Sequence, residues 1–370
     1  MQATPLNIEG AIDERYSQAS QKTEASLCCP VDYEARWLAV LPDELIERDY
    51  GCGDPSKWVQ EGDHVLDLGS GAGKICYIAS QVVGAKGSVT GIDMNDDMLA
   101  LARQYQSEIA GKIGWDNVTF RKAKIQDLKL DMQQFEHWLQ ANPATDANGW
   151  LQAEQQAEQL RNRHPMIEDN SIDIVVSNCV LNLVNPNDRL QLFAELFRVL
   201  KPGGRAVISD IVSNQPVPVG LKNDATLWSG CISGAFEDQA FIQAFVDIGL
   251  GKIEILAWQS EPWQVVEGIE FRSLTLRAWK PLATEDDTVT NQSAIYRGPW
   301  KEVTDDWGNV LLRGERNAIT NRQLREYEQT PYKADLILLG DDGQLSQTDH
   351  SSKVSDLPIT DCSTTGGNCC

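Results

Sequence analysis

Between Asp63 and Lys280, short apolar runs of strand length alternate with longer segments whose apolar residues recur every three or four positions. HVLDL leads through a glycine turn into KICYIASQVV, and SVTGID leads into NDDMLALARQYQSEIA. Short apolar runs bounded by glycine read as buried strands, and the 3.6-residue spacing that follows each reads as a helix. NVTFRKAKIQDL supplies a third strand and SIDIVVSNCVLNL a fourth; LQLFAELFRVLKPGGRAVISDIV reads as a helix, a Pro-Gly turn and a fifth strand. Repeated units of this kind predict an α/β fold: a doubly wound, Rossmann-like sheet with ligands beyond the carboxyl ends of its strands.

Two stretches break the rhythm. Residues 131–164 are polar, glutamine-rich and helical in composition, and are read as a helical insertion between the third and fourth strands, either a lid or a rim elaboration. After Lys280, PLATEDDTVTNQS reads as a linker, and AIYRGPWKEVTDDWGNVLLRGERNAIT carries short strand-like runs with turns. The expected organisation is an N-terminal segment 1–57, a domain 58–280, a small β-containing appendage 281–340 and a disordered tail 341–370.

Composition narrows the function classes. With 370 residues and 42% apolar content, the chain has enough material for a sizeable core. A formal charge of −22, from 54 acidic and 32 basic residues, repels phosphate backbones and anionic membranes, so neither nucleic acid nor a membrane is an expected partner. No apolar run is long enough to span a bilayer. Nine cysteines, an odd number, behind a polar N-terminus with no secretory leader point to free thiols in a reducing cytoplasm. No heptad or apolar strip declares an interface, so a monomer is expected.

The candidate chemistry starts at LDLGSGAGK. There an apolar strand delivers the chain to Gly69, Ser70 and Gly71, where missing side chains let backbone approach a ligand closely. Asp93 ends the next strand, 20 to 24 residues beyond the glycines, where a carboxylate can accept from both ribose hydroxyls. Dinucleotide enzymes share those features, but GSGAG leaves Lys74 where their third glycine would stand. Elsewhere Cys28 and Cys29 lie side by side, and Cys52, Cys179 and Cys231 fall in YGCG, SNCVLNL and SGCISGA. Thiolates are soft ligands, and three of them brought to one point would suit a trivalent metalloid. Cys76, on the helix after the glycine loop, has the spacing of a core residue. Trp228, three residues before Cys231, would wall such a pocket or simply pack.

DLGSGAG followed by GIDMNDDML resembles the class I S-adenosylmethionine-dependent methyltransferases over roughly Trp58–Val212. YGCGDPS, SNCVLNL, SDIV and CISGAF together resemble the arsenite methyltransferase family. The resemblance implies arsenic(III) ligation by Cys52, Cys179 and Cys231, and a disulfide relay through Cys28 or Cys29. For the cofactor it implies Tyr50, Asp67, Gly69, Ser70 and Gly71, with Asp93 on ribose and Met94 flanking adenine. Ile125 and Gln126 would reach the adenine amine, Gln126 standing where an acid is more usual, and Asn178 completes the set. The implied reaction methylates arsenite or methylarsenite, with a thiol reductant such as glutathione or thioredoxin as co-substrate. The ending GGNCC, with Cys369 and Cys370, is similar to bacterial tails that would capture arsenite. No general base is expected, and His64, His137, His164 and His350 are read as a strand-edge residue and three solvent-facing ones. The residues leave two other readings open: a methyltransferase of a small organic molecule, and a metalloid-binding protein that transfers nothing.

Overall fold

The computed structural model describes residues 7–24, 31–48, 50–282 and 288–340. Cys28, Cys29, His350, Cys369 and Cys370 lie outside them. The chain divides into two units, 1–281 and 282–370.

The first unit opens with α1 (Ile8–Gln21), capped by Asn7, whose side chain accepts from the Gly10 amide, and two short helices, α2 (Ala35–Leu38) and α3 (Asp43–Glu47). The sheet begins with β1 (His64–Leu68), which runs through the glycine turn into α4 (Lys74–Val83), then β2 (Ser88–Asp93), α5 (Asp96–Gln104) and α6 (Gln106–Ile113). β3 (Val118–Lys122) is followed by α7 (Met132–Ala141) and α8 (Ala147–Arg163), so residues 131–164 form a helix pair. β4 (Ile172–Asn178), α9 (Arg189–Val199) and β5 (Leu200–Ser213) complete the parallel part. The expected third strand is shorter than NVTFRKAKIQDL: it stops at Lys122 and frees Ala123–Gln126 as loop.

The Pro-Gly turn lies inside β5 instead of before it. Leu200 pairs with Ile172 and Arg205 with Ile174, so Lys201–Gly204 bulge out while the strand continues. α10 (Val219–Lys222), α11 (Ala225–Ser229), β6 (Phe236–Glu237) and α12 (Asp238–Asp247) lead to β7 (Gly251–Trp258), β8 (Gln264–Val266) and β9 (Ile269–Trp279). The strand order β3-β2-β1-β4-β5-β9-β7 reverses between β1 and β4, where a ligand crevice opens. β9 runs antiparallel beside β5, continuing the sheet beyond the five strands read from the sequence.

Apolar side chains fill both faces of this sheet. Arg205 ties β5 to the approach to β1: its guanidinium donates to Asp63 at 2.6 Å, a buried pair, and to the Trp58 carbonyl. His64 is the exposed first residue of β1, and Cys76 is fully buried. Among the described residues no helix is long and apolar enough to cross a membrane.

The second unit holds β10 (Val289–Tyr296), β11 (Glu302–Thr304), β12 (Val310–Leu312), β13 (Arg316–Thr320), α13 (Asn321–Tyr327), α14 (Tyr332–Asp335) and β14 (Leu336–Leu339). β13, β10 and β14 form an antiparallel sheet, and β11 pairs with β12. β10 begins within the stretch read as a linker, and Ala294, Tyr296, Ile319 and Tyr327 form the unit's own core.

Candidate active site

The glycine turn after β1 holds Gly69 at φ 74°, and a Cβ there would meet the Val180 side chain at 2.4 Å. That close approach lets the loop fold against the end of β4, leaving a crevice above it. The crevice is a cavity of about 470 Å³. Gly69 and Gly71 line it, with Asp93 and Met94 from the end of β2 and Ile125 and Gln126 from the loop freed after the neighbouring β3. Asp93 is oriented by two backbone amides, Gly71 at 2.8 Å and Asn95 at 2.9 Å, so the carboxylate is fixed at the end of β2. Tyr50 also lines the cavity, its hydroxyl donating to the Ala19 carbonyl and accepting from the Glu24 amide.

α1 roofs this cavity with Glu9, Gly10, Ile12, Asp13 and Tyr16. Asn95 donates to the carboxylate and carbonyl of Asp13 and to Ser17, and Lys124 pairs with Glu9. At the same helix's other flank, Arg15 donates to the Thr226 carbonyl and the Ser229 hydroxyl on α11. One helix therefore joins the loops that line the cavity to the segment that carries Cys231.

The thiol side lies where β4, β5 and the YGCG loop meet. The Asn178 side chain, at the end of β4, accepts from the amides of Cys52 and Gly53 at 2.9 and 3.1 Å and donates to the Gly53 carbonyl. Gly51 and Gly53 are required by contact: a Cβ on the first would stand 2.1 Å from Asn178 Nδ2, and on the second 2.4 Å from Ser209 Oγ. Cys52 is thus pressed into the sheet, where Ser273 donates to its carbonyl. Cys179 follows β4 directly and lines the same cavity. Cys231 donates from its sulfur to the Cys179 carbonyl at 3.2 Å. The sulfurs of Cys52 and Cys179 lie within 4.8 Å of each other, and Cys231 packs into the same cluster of buried side chains. Burial first, then these neighbours, raises the Cys179 thiol well above its ordinary range, and burial raises Cys52.

One carboxylate joins them. Asp210 of β5 is fully buried, and one of its oxygens and the sulfurs of Cys52 and Cys179 lie within 4.8 Å of one another. Asp210 accepts from Asn182 Nδ2 at 2.7 Å, from the Ile211 amide at 2.8 Å and from the Asn182 amide at 3.3 Å. Burial lifts its carboxyl up to about 7, opposed by those amides and by the charge of Arg189.

Residues 59–161 and 151–266 match a family model described as a methyltransferase domain. An arsenite methyltransferase of Aquipseudomonas alcaligenes is 32% identical over 293 residues, covering 76% of this chain and 74% of that protein. The mouse arsenite methyltransferase is 31% identical over 320 residues, 83% of this chain and 75% of that one. The chain belongs to the arsenite methyltransferase family. It is an S-adenosylmethionine-dependent methyltransferase with the family's α/β fold. The crystal structure of an arsenic (III) S-adenosylmethionine methyltransferase from Chlamydomonas reinhardtii matches with a TM-score of 0.57 at 26% identity, covering 86% of this chain and 100% of that one. Residues 284–362 separately match a domain of unknown function.

For an arsenite methyltransferase, the placement of the expected site residues divides cleanly. Cys52, Cys179 and Cys231 come together, and Tyr50, Gly69, Gly71, Asp93, Met94, Ile125 and Gln126 line the same cavity. Asp67, Ser70 and Asn178 stand outside that lining. Asp67 is buried in β1 and accepts from the Cys76 thiol, and Asn178 serves the Cys52 loop. Ser70 is buried, its hydroxyl without a partner among the described residues. Trp228 is buried and donates to the Leu183 carbonyl. Sequence reasoning missed α1 and Asp210. Ile8, Ile12 and Tyr16 recur at i, i+4 and i+8 behind the Asn7 cap, a helical signal inside a segment that reads as merely polar. Asp210 stands in SDIV, buried in a strand that otherwise reads as apolar core.

Proposed function

We propose that this enzyme methylates trivalent arsenic held by Cys52, Cys179 and Cys231. The observation that carries the reading is the packing of three cysteines from distant segments into one cluster, the Cys52 and Cys179 sulfurs within 4.8 Å of each other and the Cys231 sulfur on the Cys179 carbonyl, with Cys179 in the cavity wall. Arsenite exchanges three As–O bonds for three As–S bonds, each thiol proton leaving in a molecule of water. The exchange suits buried thiols, because it discharges them without leaving a free anion in an apolar setting. S-adenosylmethionine supplies an electrophilic methyl group on a sulfonium.

The chain's own part is placement. Asp93, fixed by two amides, is positioned to grip ribose, Met94 and Ile125 flank the adenine region, and α1 covers the cavity against water. Three sulfur ligands leave the arsenic lone pair as the nucleophile, so no general base is needed. After transfer, two thiolates leave arsenic as a disulfide and pass it two electrons, while a water molecule gives up a proton and takes a vacated position on arsenic as hydroxide. A small-molecule thiol or thioredoxin-class dithiol then reduces that disulfide, with Cys28 or Cys29 as the relay. The deciding experiment incubates the protein with S-adenosylmethionine, arsenite and a thiol and separates the arsenic species. Methylated arsenicals that vanish with Cys52→Ser, Cys179→Ser and Cys231→Ser are expected. Unimpaired turnover in any of the three would refute the tris-thiolate site.

A further inference from the structure

We propose that Asp210 is the counter-charge for methyl transfer, a carboxylate fixed beside the Cys52 and Cys179 sulfurs to stabilise the positive charge that arrives on arsenic. The inference rests on the tris-thiolate reading and adds to it a residue that the reading does not use.

The charge balance of the step defines the need. The arsenic lone pair forms the As–C bond, the C–S bond of the donor breaks, and its electron pair returns to the donor sulfur. A neutral tris-thiolato arsenic(III) becomes a methylated arsenic(V) cation, while the sulfonium becomes a neutral thioether. One full positive charge therefore moves onto an atom bonded to the Cys52 and Cys179 sulfurs, in a site from which water is largely excluded. Fixed charge in such a site is worth far more than in solvent, provided it is oriented before the reaction.

Asp210 meets those conditions. It is fully buried, and a carboxylate oxygen lies within 4.8 Å of both sulfurs. Its oxygens are held by Asn182 Nδ2, the Asn182 amide and the Ile211 amide, so the charge cannot rotate away. The described hydrogen bonds of Arg189 all end on carbonyls, those of Val184, Asn182 and Gly234. The guanidinium therefore favours the ionised carboxylate through space without pairing with it directly.

The test separates binding from transfer. Wild-type enzyme and Asp210→Asn are loaded with arsenite, the number of As–S bonds is read by X-ray absorption, and S-adenosylmethionine is then mixed in for a single turnover. Three As–S bonds in both proteins, with methyl transfer slowed by about 100-fold in Asp210→Asn and largely restored in Asp210→Glu, is the expected result. Should the amide variant not fold, Asp210→Ser, which leaves room for water at the same donors, takes its place with the same expectation. Transfer at the wild-type rate in a folded, arsenite-loaded variant overturns the proposal, and so does loss of arsenite binding, which would make Asp210 a loop organiser. Fewer than three As–S bonds in the wild-type enzyme would instead sink the tris-thiolate reading itself.

Discussion

The Cys231 sulfur donates to the carbonyl of Cys179, and both residues hold a left-handed backbone, φ 61° and 64°. Among the described residues only five other than glycine adopt positive φ, and two of them are these cysteines. A β-carbon in that region clashes with the following carbonyl, at a cost of about 1–2 kcal/mol per residue. Glycine would remove the strain, so the thiols are kept against a local preference, the mark of a site in which position outweighs stability.

That strain has a direct consequence for substitution. At Cys179, glycine should give a protein about 1 kcal/mol more stable than alanine, the reverse of the usual order. Urea unfolding of Cys179→Gly and Cys179→Ala measures it; alanine equal to or better than glycine would show that φ is not held at its observed value. Both variants should lack arsenite-dependent turnover.

The YGCG glycines yield to a different test. A methyl group at Gly51 or Gly53 would meet Asn178 or Ser209 at distances no real Cβ tolerates, so the Cys52 loop must shift. Gly51→Ala and Gly53→Ala should each cost about 1–3 kcal/mol and weaken arsenite binding at least tenfold, while affinity for S-adenosylhomocysteine stays within about twofold. Calorimetric titration with each ligand reads both numbers.

Asn178 separates two roles that its position in SNCVLNL leaves open. Its carbonyl oxygen receives the amides of Cys52 and Gly53, the first of these bonds fully buried. Asn178→Ala should leave those donors unpaired, at about 1–3 kcal/mol for the buried one, and lower arsenite affinity more than cofactor affinity. A larger fall in S-adenosylhomocysteine binding than in arsenite binding would return Asn178 to the cofactor.

Why some of this could be read from sequence and some could not follows from which interactions are local. HVLDLGSGAG and GIDMN announce a strand, a turn and a carboxylate within a few residues, because the geometry they need is set by their own backbone. The thiol pocket spans Cys52, Cys179 and Cys231, and only a family resemblance joins segments that far apart. Residues 251–279 escaped as strands because the pairing of β9 with β5 is a long-range contact, decided by the partner's register as much as by propensity. Asp210 was hidden for the opposite reason: its strand looks apolar, and only the fold shows what the acid faces.

α1 should control cofactor binding although it carries none of the expected binding motifs. Asn95 both caps α5, by accepting from the Met98 amide, and ties α1 down through Asp13 and Ser17. Asp13→Ala removes the carboxylate from the tie, leaving Asn95 its bonds to the residue 13 carbonyl and to Ser17, and spares the cap. It should weaken S-adenosylmethionine binding by about 3- to 10-fold with little change in melting temperature, an outcome calorimetry and thermal unfolding check together. Unchanged affinity would show that the roof does not close on the cofactor.

The pH dependence of stability isolates Asp210. Burial lifts its carboxyl from 3.8 to about 7, so between about pH 4 and pH 7 the folded protein holds a proton that the unfolded chain releases, and above that range both carry the carboxylate. Since the folded value lies above the unfolded one, this contribution is fully present below about pH 4, is lost as pH rises towards 7 and is level beyond. At one pKa unit per 1.4 kcal/mol, the full span is about 4 kcal/mol, of which about 2–3 kcal/mol falls between pH 5 and pH 8. Asp210→Asn removes the titration and leaves every other group in common. Its unfolding free energy should therefore increase relative to that of wild type by about 2–3 kcal/mol from pH 5 to pH 8, the variant gaining in relative stability whatever the substitution costs in hydrogen bonds to Asn182 and Ile211. Urea unfolding of both proteins at the two pH values measures the difference. A pH-independent gap would mean that Asp210 titrates alike in the folded and unfolded protein, and that its charge costs nothing where it stands.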